Sequence, residues 1–325
     1  MRPLAGVFCV LWLSAPAAFA RPPVPGPRTP LRRRPVPASE ARPRREAPSW
    51  DRIVTLQAPG ADRILVRGGT FMMGSSDSEI ELAVGLCQRE PAPDDCVDQL
   101  FSNEGAEHEV LLSDFWIDRT EVTVARYRQC VAAGRCTQPP YASGGERFDR
   151  ADLPVTLVTW QDASTFCEWA AGRLPTEAEW ERAARGRAGR RYPWGNVFNP
   201  NLANRGHGAG IQIQLQQGAL ASFAWDELEA GDRFRELAPV GSYPDGRTPD
   251  GIDDLAGNVE EWVADYYAPE YPKADQNNPR GPDVGEERVL RGGSYQYAAP
   301  WLRGASRTKD FPSIRRSWRG FRCVF

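Results

Sequence analysis

From Gly186 to the end of the chain, Gly, Pro, Asn or Asp recurs every few residues, which leaves little room for long helices or strands. Such a chain needs something besides regular hydrogen bonding to hold an irregular backbone. Its eleven tryptophans, with thirteen phenylalanines and nine tyrosines, supply large apolar surfaces for that purpose. Cysteines supply covalent braces. The expected class is α+β, irregular and loop-rich, pinned by aromatic packing, disulfides and ions.

The cysteines acquire their meaning from the amino terminus. Arg2, the apolar run Gly6 to Leu13 and the small-x-small triplet Ala18-Phe19-Ala20 read as a cleaved signal peptide over 1–20. That run is far short of the roughly 20 residues a spanning helix needs, and no other segment is apolar enough, so no integral membrane segment is expected. The protein should be exported, to the periplasm or the extracellular space. Beyond Cys9, six cysteines remain: Cys87, Cys96, Cys130, Cys136, Cys167 and Cys323. An even number in an oxidising compartment reads as disulfides. Many pairings are open, but proximity favours Cys87–Cys96 and Cys130–Cys136, which leaves Cys167 for Cys323. A zinc site would need clustered Cys and His. The two histidines, His108 and His207, are far from any CxxC and read as exposed or satisfied side chains.

Residues 21–50 are rich in Pro and Arg and carry no apolar period, so they read as an extended, disordered linker. Residues 51–325 are enough for one large core. They hold 31 basic against 41 acidic residues, a net charge of −10. Nucleic acid is therefore an unsuitable partner, since it wants a basic patch. Hard cations suit that charge better.

Strands are expected at Ile64–Arg67 and Thr70–Met73 about a Gly68-Gly69 turn, and across Val110–Ile117 with a turn at Ser113-Asp114. An acid-rich loop should carry Cys87 and Cys96. Thr123 can cap a helix to about Ala133, ended by Gly134. Thr159 can cap a second, with Ala163, Phe166, Cys167 and Ala170 on one face and Gly172 as its stop. Thr176 and Glu179 form a capping box for a third, with Trp180, Ala183 and Ala184 inward and Gly186 at its end.

No nucleophile elbow or phosphate loop occurs, and the adjacent acids Asp253-Asp254 and Glu260-Glu261 do not by themselves flank a scissile bond. The stretch Asp254 to Trp262 says more. Two carboxylates, Asp254 and Glu261, flank a glycine turn that bares carbonyls, a set of hard oxygens suited to calcium. Equally, Asn258 could cap a helix with Glu261 at its third position.

Eight stretches taken together resemble the formylglycine-generating enzyme family, the sulfatase-modifying-factor domain. They are Gly68 to Ser75 (GGTFMMGS), Glu121-Val122-Thr123, Pro154-Val155 with Val158-Thr159-Trp160, and Gly172 to Glu181 (GRLPTEAEWE). Tyr192 to Asn196 (YPWGN), Gly257 to Trp262 (GNVEEW), Arg291 to Tyr295 (RGGSY) and Arg319 to Cys323 (RGFRC) complete the series. The resemblance implies a single domain over 51–325, of low regular content and related to C-type lectins. It implies structural calcium at the Asp254 and Glu261 side chains with the Gly257 and Val259 carbonyls. A second site would use the Asn204 and Asp232 side chains with the Arg205 and Phe234 carbonyls. It also implies a bridge between Cys167 and Cys323.

One departure sets the functional expectation. The family's enzyme oxidises a substrate-protein cysteine to formylglycine with copper and oxygen, holding Cu(I) on two cysteines shortly after its GGSY motif. Here Tyr297 and Leu302 fall at those positions, and no cysteine lies between 168 and 322. Phenol and isobutyl groups are no ligands for a soft ion. The chain is expected to need calcium but no copper, and to be a non-catalytic binding or scaffold module. A cleft of Tyr295, Tyr297, Trp301 and Arg303 would take a protein, peptide or carbohydrate ligand. The alternative is a formylglycine-generating oxidase that converts a substrate-protein cysteine by another route.

Overall fold

A computed structural model describes residues 62–90, 96–143, 147–206, 233–272 and 274–325. The expected signal peptide and linker, His207 and Asp232 lie outside the described residues. Strands β1 (Arg63–Val66) and β2 (Gly69–Met73) form where expected, yet they do not pair with each other. β1 lies antiparallel to β4 (Phe115–Asp118), and β2 antiparallel to β3 (His108–Leu112). Gly68 makes the switch between sheets possible. A Cβ there would stand 2.4 Å from the Leu112 carbonyl oxygen, and the Gly68 N–H donates to Asp114 Oδ1 at 2.8 Å. The β3 strand also takes the two-residue β6 (Gln276–Asn277) in parallel.

The third sheet runs β8 (Arg307–Asp310), β7 (Arg288–Arg291), β5 (Glu260–Tyr266), β9 (Arg319–Gly320). β7 is antiparallel to both neighbours, whereas β9 runs parallel to β5. The strand at 260–266 overturns the helix reading of the Asn258 stretch. Asn258 has φ +57°, a left-handed turn residue ahead of a strand rather than a helix cap.

Four α-helices are described. α2 (Val124–Ala132), α3 (Trp160–Trp169) and α4 (Glu177–Arg185) start on their threonine caps, the last two with complete capping boxes. The acid-rich stretch before Cys87 is not the expected loop. Residues Asp77–Cys87 form α1, where Ser76 caps the first turn and Asp77 and Glu79 meet the positive end of the helix dipole. The end of α3 also differs. Ala171 takes the left-handed turn, at φ +63°, while Gly172 is needed for space: a Cβ there would lie 2.4 Å from the Val324 carbonyl oxygen.

Disulfides join Cys87–Cys96 and Cys130–Cys136, the pairs that proximity favoured, and Cys167–Cys323, the pair left over. The last crosses the core between α3 and the chain end. There Tyr127, Phe166 and Phe321 pack ring on ring, with Phe166 5.6 Å from Tyr127 and 5.5 Å from Phe321.

Helix α4 runs through the middle with all nine residues buried, five of them charged. Glu181 accepts from Arg185 at 2.8 Å, Arg291 at 2.5 Å and the Gly74 N–H at 2.8 Å. Glu177 accepts from Arg307 through both oxygens, at 2.8 and 2.9 Å, and from the Tyr271 hydroxyl at 3.0 Å. Burial opposes ionisation of Glu181, but Arg291 and Arg185 more than offset it and hold the carboxyl below its usual range. Removing one partner would leave an uncompensated charge inside, a change that costs about 3–5 kcal/mol in buried pairs generally.

Asp265, on β5, accepts the first N–H of α4, from Glu177, at 2.8 Å. Burial, and then the Glu177 charge, push its pKa up to about 8. Between about pH 4 and 8 the folded state thus keeps a proton that the unfolded state releases. Stability should fall as pH rises through that window, by about 1.4 kcal/mol per pH unit, and level off above it. Asp265→Asn keeps an acceptor for the Glu177 N–H and removes the titration. Denaturation midpoints from pH 5 to 8 should show the variant gaining on the wild type as pH rises; parallel profiles would contradict the assignment.

Candidate functional site

Two groups of residues stand behind β5 and β7. The first follows the left-handed turn Gly292-Gly293 that ends β7. The Tyr295 N–H donates to the Asn258 carbonyl at 3.0 Å, and a 3-10 turn follows at Ala299–Leu302. This is where a ligand cleft was expected, and the side chains are instead interior. Tyr295, Tyr297, Trp301 and Arg303 are only 4, 3, 4 and 2% exposed, and Leu302 is fully buried. The physical reason is the shortage of regular structure: a segment without strand partners is held by burying its aromatics. Trp301 packs 5.7 Å from Phe101, in a cluster shared with α1 and the Cys87–Cys96 bridge. Arg303 grips Glu104 with both guanidinium nitrogens, at 2.8 and 2.7 Å.

At Tyr297 and Leu302, where the sequence placed the missing copper ligands, burial pushes the Tyr297 phenol well above its ordinary pKa, and the nearby Glu260 carboxylate adds to the push. Glu260 in turn accepts from Thr308 Oγ1 at 2.6 Å and Arg319 Nε at 3.0 Å. The pair therefore offers one protonated phenol and one hydrocarbon side chain, and all six cysteines of the described residues are spent in disulfides. This donor set does not fit Cu(I).

The second group is built of hard oxygens. Gly257 brings two segments together: at φ +79° its missing Cβ would lie 2.1 Å from the Asn204 carbonyl oxygen. Asn258 is then the hub. Its Nδ2 donates to Glu121 Oε1 at 3.0 Å, and its Oδ1 accepts from Asn204 Nδ2 at 2.9 Å and the Ala238 N–H at 3.0 Å. The Asn258 side chain thus links Asn204 of the second expected site to Glu121. Asp254, at φ +59°, accepts the Gly241 N–H at 2.6 Å. Burial raises its pKa to about 6 and raises that of Glu121 well above the usual carboxylate range, with Asp254 adding to the latter shift. Glu121 hydrogen-bonds Asp254, the raised pKa of Glu121 making it the donor, and Asn204 Oδ1 is a buried acceptor without a donor.

Glu261 is differently placed. Arg322 binds it through two nitrogens at 2.7 Å each, and Trp180 Nε1 donates to it at 2.9 Å. Its charge is already answered. Asp254 shares a hydrogen bond with Glu121 instead, and the acceptor without a donor is Asn204 Oδ1. Glu121 was missed as a site residue in the sequence; an acid directly before the fully buried Val122 and the Thr123 cap was the available signal. His108, 4% exposed, holds the Ala106 carbonyl through Nδ1 at 2.9 Å and packs on Tyr271, as a partly satisfied interior histidine.

No helix among the described residues is long and apolar enough to cross a membrane. Residues 52–325 match the sulfatase-modifying factor enzyme 1-like domain. The formylglycine-generating enzyme of Thermomonospora curvata is 30% identical over 85% of this chain and 98% of its own length. A mouse relative, inactive C-alpha-formylglycine-generating enzyme 2, is 38% identical over 58% of this chain and 53% of its own. Among solved structures, PvdO from Pseudomonas aeruginosa superposes with a TM-score of 0.60 at 23% identity, over 81% of this chain and 93% of that one. Treponema denticola variable protein 1 follows at 0.58 and 21%, over 81% and 94%. The fold is the irregular α+β one of formylglycine-generating enzymes, with its relation to C-type lectins. With the match covering residues 52–325, the chain belongs to the sulfatase-modifying factor enzyme 1-like family.

Proposed function

We propose that this chain is an exported, non-catalytic member of its family, a binding or scaffold module for a protein, peptide or carbohydrate partner. The observation that carries the reading is the pair Tyr297 and Leu302, buried at the positions where copper-binding cysteines belong, with no free thiol among the described residues. The inactive mouse relative shows that the family includes proteins named as lacking the activity. Export is supported by the three disulfides and by the amino-terminal pattern of Arg2, an apolar run and Ala18-Phe19-Ala20. The test is turnover: the purified protein should leave a sulfatase-type cysteine peptide unchanged, with or without copper.

The same reading includes structural calcium beside Asp254. Its supports are two carboxyls whose ionisation burial opposes, and the buried Asn204 Oδ1 with no donor. Asp254, Glu121, Asn204 and the carbonyls of the Gly257 turn would supply hard oxygens there. An ion bound only by the folded state adds RT ln(1 + [L]/Kd) to stability, so calcium should raise the melting temperature. Asp254→Ala should abolish most of that rise. Glu260→Ala should keep it, even though loss of the Arg319 partner lowers the starting stability. A melting temperature indifferent to calcium and chelator would remove the ion from the account.

A further inference from the structure

The cleft expected around Tyr295 to Arg303 is filled by its own side chains, so a binding module of this fold needs another opening. One lies between α2 and the segment after the Cys130–Cys136 bridge, a hollow of about 380 Å³. Val124, Tyr127, Val131 and Ala132, at helical spacing, give one wall, and Pro139 and Tyr141 the other. The polar part of the lining is Arg128, Gln138 and Asp149. Three links fix the two walls before any ligand arrives. The disulfide ties the end of α2 to Cys136, the Tyr127 hydroxyl donates to the Thr137 carbonyl at 3.1 Å, and Arg128 Nη2 donates to the Asp149 carbonyl at 2.6 Å. Such a hollow needs little ordering on binding.

The lining discriminates among ligands. Arg128 Nη2 also meets Asp149 Oδ1 at 2.9 Å, so the two charges answer each other and neither an anion nor a cation finds an open counter-charge. A wholly apolar ligand would strip water from polar side chains without replacing their hydrogen bonds. A polyproline segment has bare carbonyls that call for outward-facing donors. Here the phenol hydroxyls face inward, Tyr127 onto Thr137 and Tyr141 onto the Thr156 backbone. What fits is a neutral group with an apolar face and its own donors and acceptors. Arg128 keeps N–H groups, and Asp149 one oxygen, that no described residue uses. A donor beside an acceptor is the complement of an amide's C=O and N–H. Gln138 is exposed, and its side chain has no partner among the described residues; its amide can pair with neighbouring hydroxyls.

We propose that this hollow binds a neutral acetamido sugar, an N-acetylhexosamine unit of a glycan. The acetamido methyl and the C–H face of the ring lie on Val131, Ala132 and Pro139. The amide meets Arg128 and Asp149, and the ring hydroxyls meet Gln138. Small-ligand sites run from roughly 300 to 1,000 Å³, and this one, near the lower limit, suits one sugar ring with its acetamido arm. The assignment rests on the reading of the chain as a binding module and gives the carbohydrate partner of that reading a place.

The test titrates the full chain by calorimetry with triacetylchitotriose, cellotriose and decaproline. Triacetylchitotriose should bind the wild type saturably. Cellotriose, with the same rings but no acetamido arms, should bind about tenfold more weakly, the loss expected of one or two unmade hydrogen bonds. Ala132 is exposed on α2, so Ala132→Phe fills the hollow while removing no contact, and it should weaken the first sugar by about tenfold or more. Gln138→Ala removes a side chain that meets no described residue, and it should weaken the same sugar severalfold at an unchanged melting temperature; it decides the matter if Ala132→Phe does not fold. Equal affinity for the two sugars, variants that bind as well as the wild type, binding of decaproline instead of sugar, or no binding at all overturns the proposal. The binding-module reading fails separately, through turnover of the cysteine peptide; a protein inert in that assay that also ignores the sugar loses only this site.

Discussion

Replacing Cys167 and Cys323 together by alanine is expected to cost about 5 kcal/mol of stability. The bridge closes a loop with a sequence separation of 156 residues. In the chain-entropy treatment, a link of that length removes about 5 kcal/mol of unfolded-state freedom. A six-residue link such as Cys130–Cys136 removes roughly 2. Backbone hydrogen bonds between Val324 and Arg173, and between Phe325 and Trp116, hold the chain end in the folded state, whereas the long bridge acts by restricting the unfolded one. β9, the last strand, has two residues, and Cys323 lies beyond it, fully buried against Phe166 and Phe321. Urea denaturation of both double variants gives the comparison. A loss for Cys167–Cys323 no greater than that for Cys130–Cys136 would contradict it.

What was legible in the sequence was local. Thr123, Thr159 and Thr176 marked three helices because a cap is a contact within four residues, and Gly68 marked the break between β1 and β2. Two disulfides followed from short spacings, and the third, across 156 residues, from the two cysteines left over. Helix α1 was hidden because its acidic residues looked like a solvated loop. The charges of α4 were misleading in the opposite sense. Glu177, Glu181, Arg182 and Arg185 would stand on the solvent side of a helix whose inner face is Trp180, Ala183 and Ala184, yet all are buried. Their partners Arg291 and Arg307 are more than a hundred residues away, a distance no local pattern can bridge. Tyr295, Tyr297, Trp301 and Arg303 were read as a cleft for the same reason. An aromatic in an irregular segment looks available until the residues that cover it are known.

The second large effect concerns chemistry rather than stability. Converting a substrate cysteine to formylglycine by the family's route requires copper held beside the substrate thiolate. Tyr297 and Leu302, which we propose stand at the two holding positions, are a phenol kept protonated by burial and a side chain with no donor atom. Neither binds a soft ion, and hydrogen bonds around Glu260 and Arg319 do not substitute for one. Loss of turnover should be complete rather than partial, because no weaker ligand remains to hold copper in place. The direct measurement is mass spectrometry of a sulfatase-type cysteine peptide incubated with the purified, disulfide-intact protein and oxygen, with and without added copper. The account predicts an unchanged peptide mass in both cases; accumulation of formylglycine over many turnovers would contradict it.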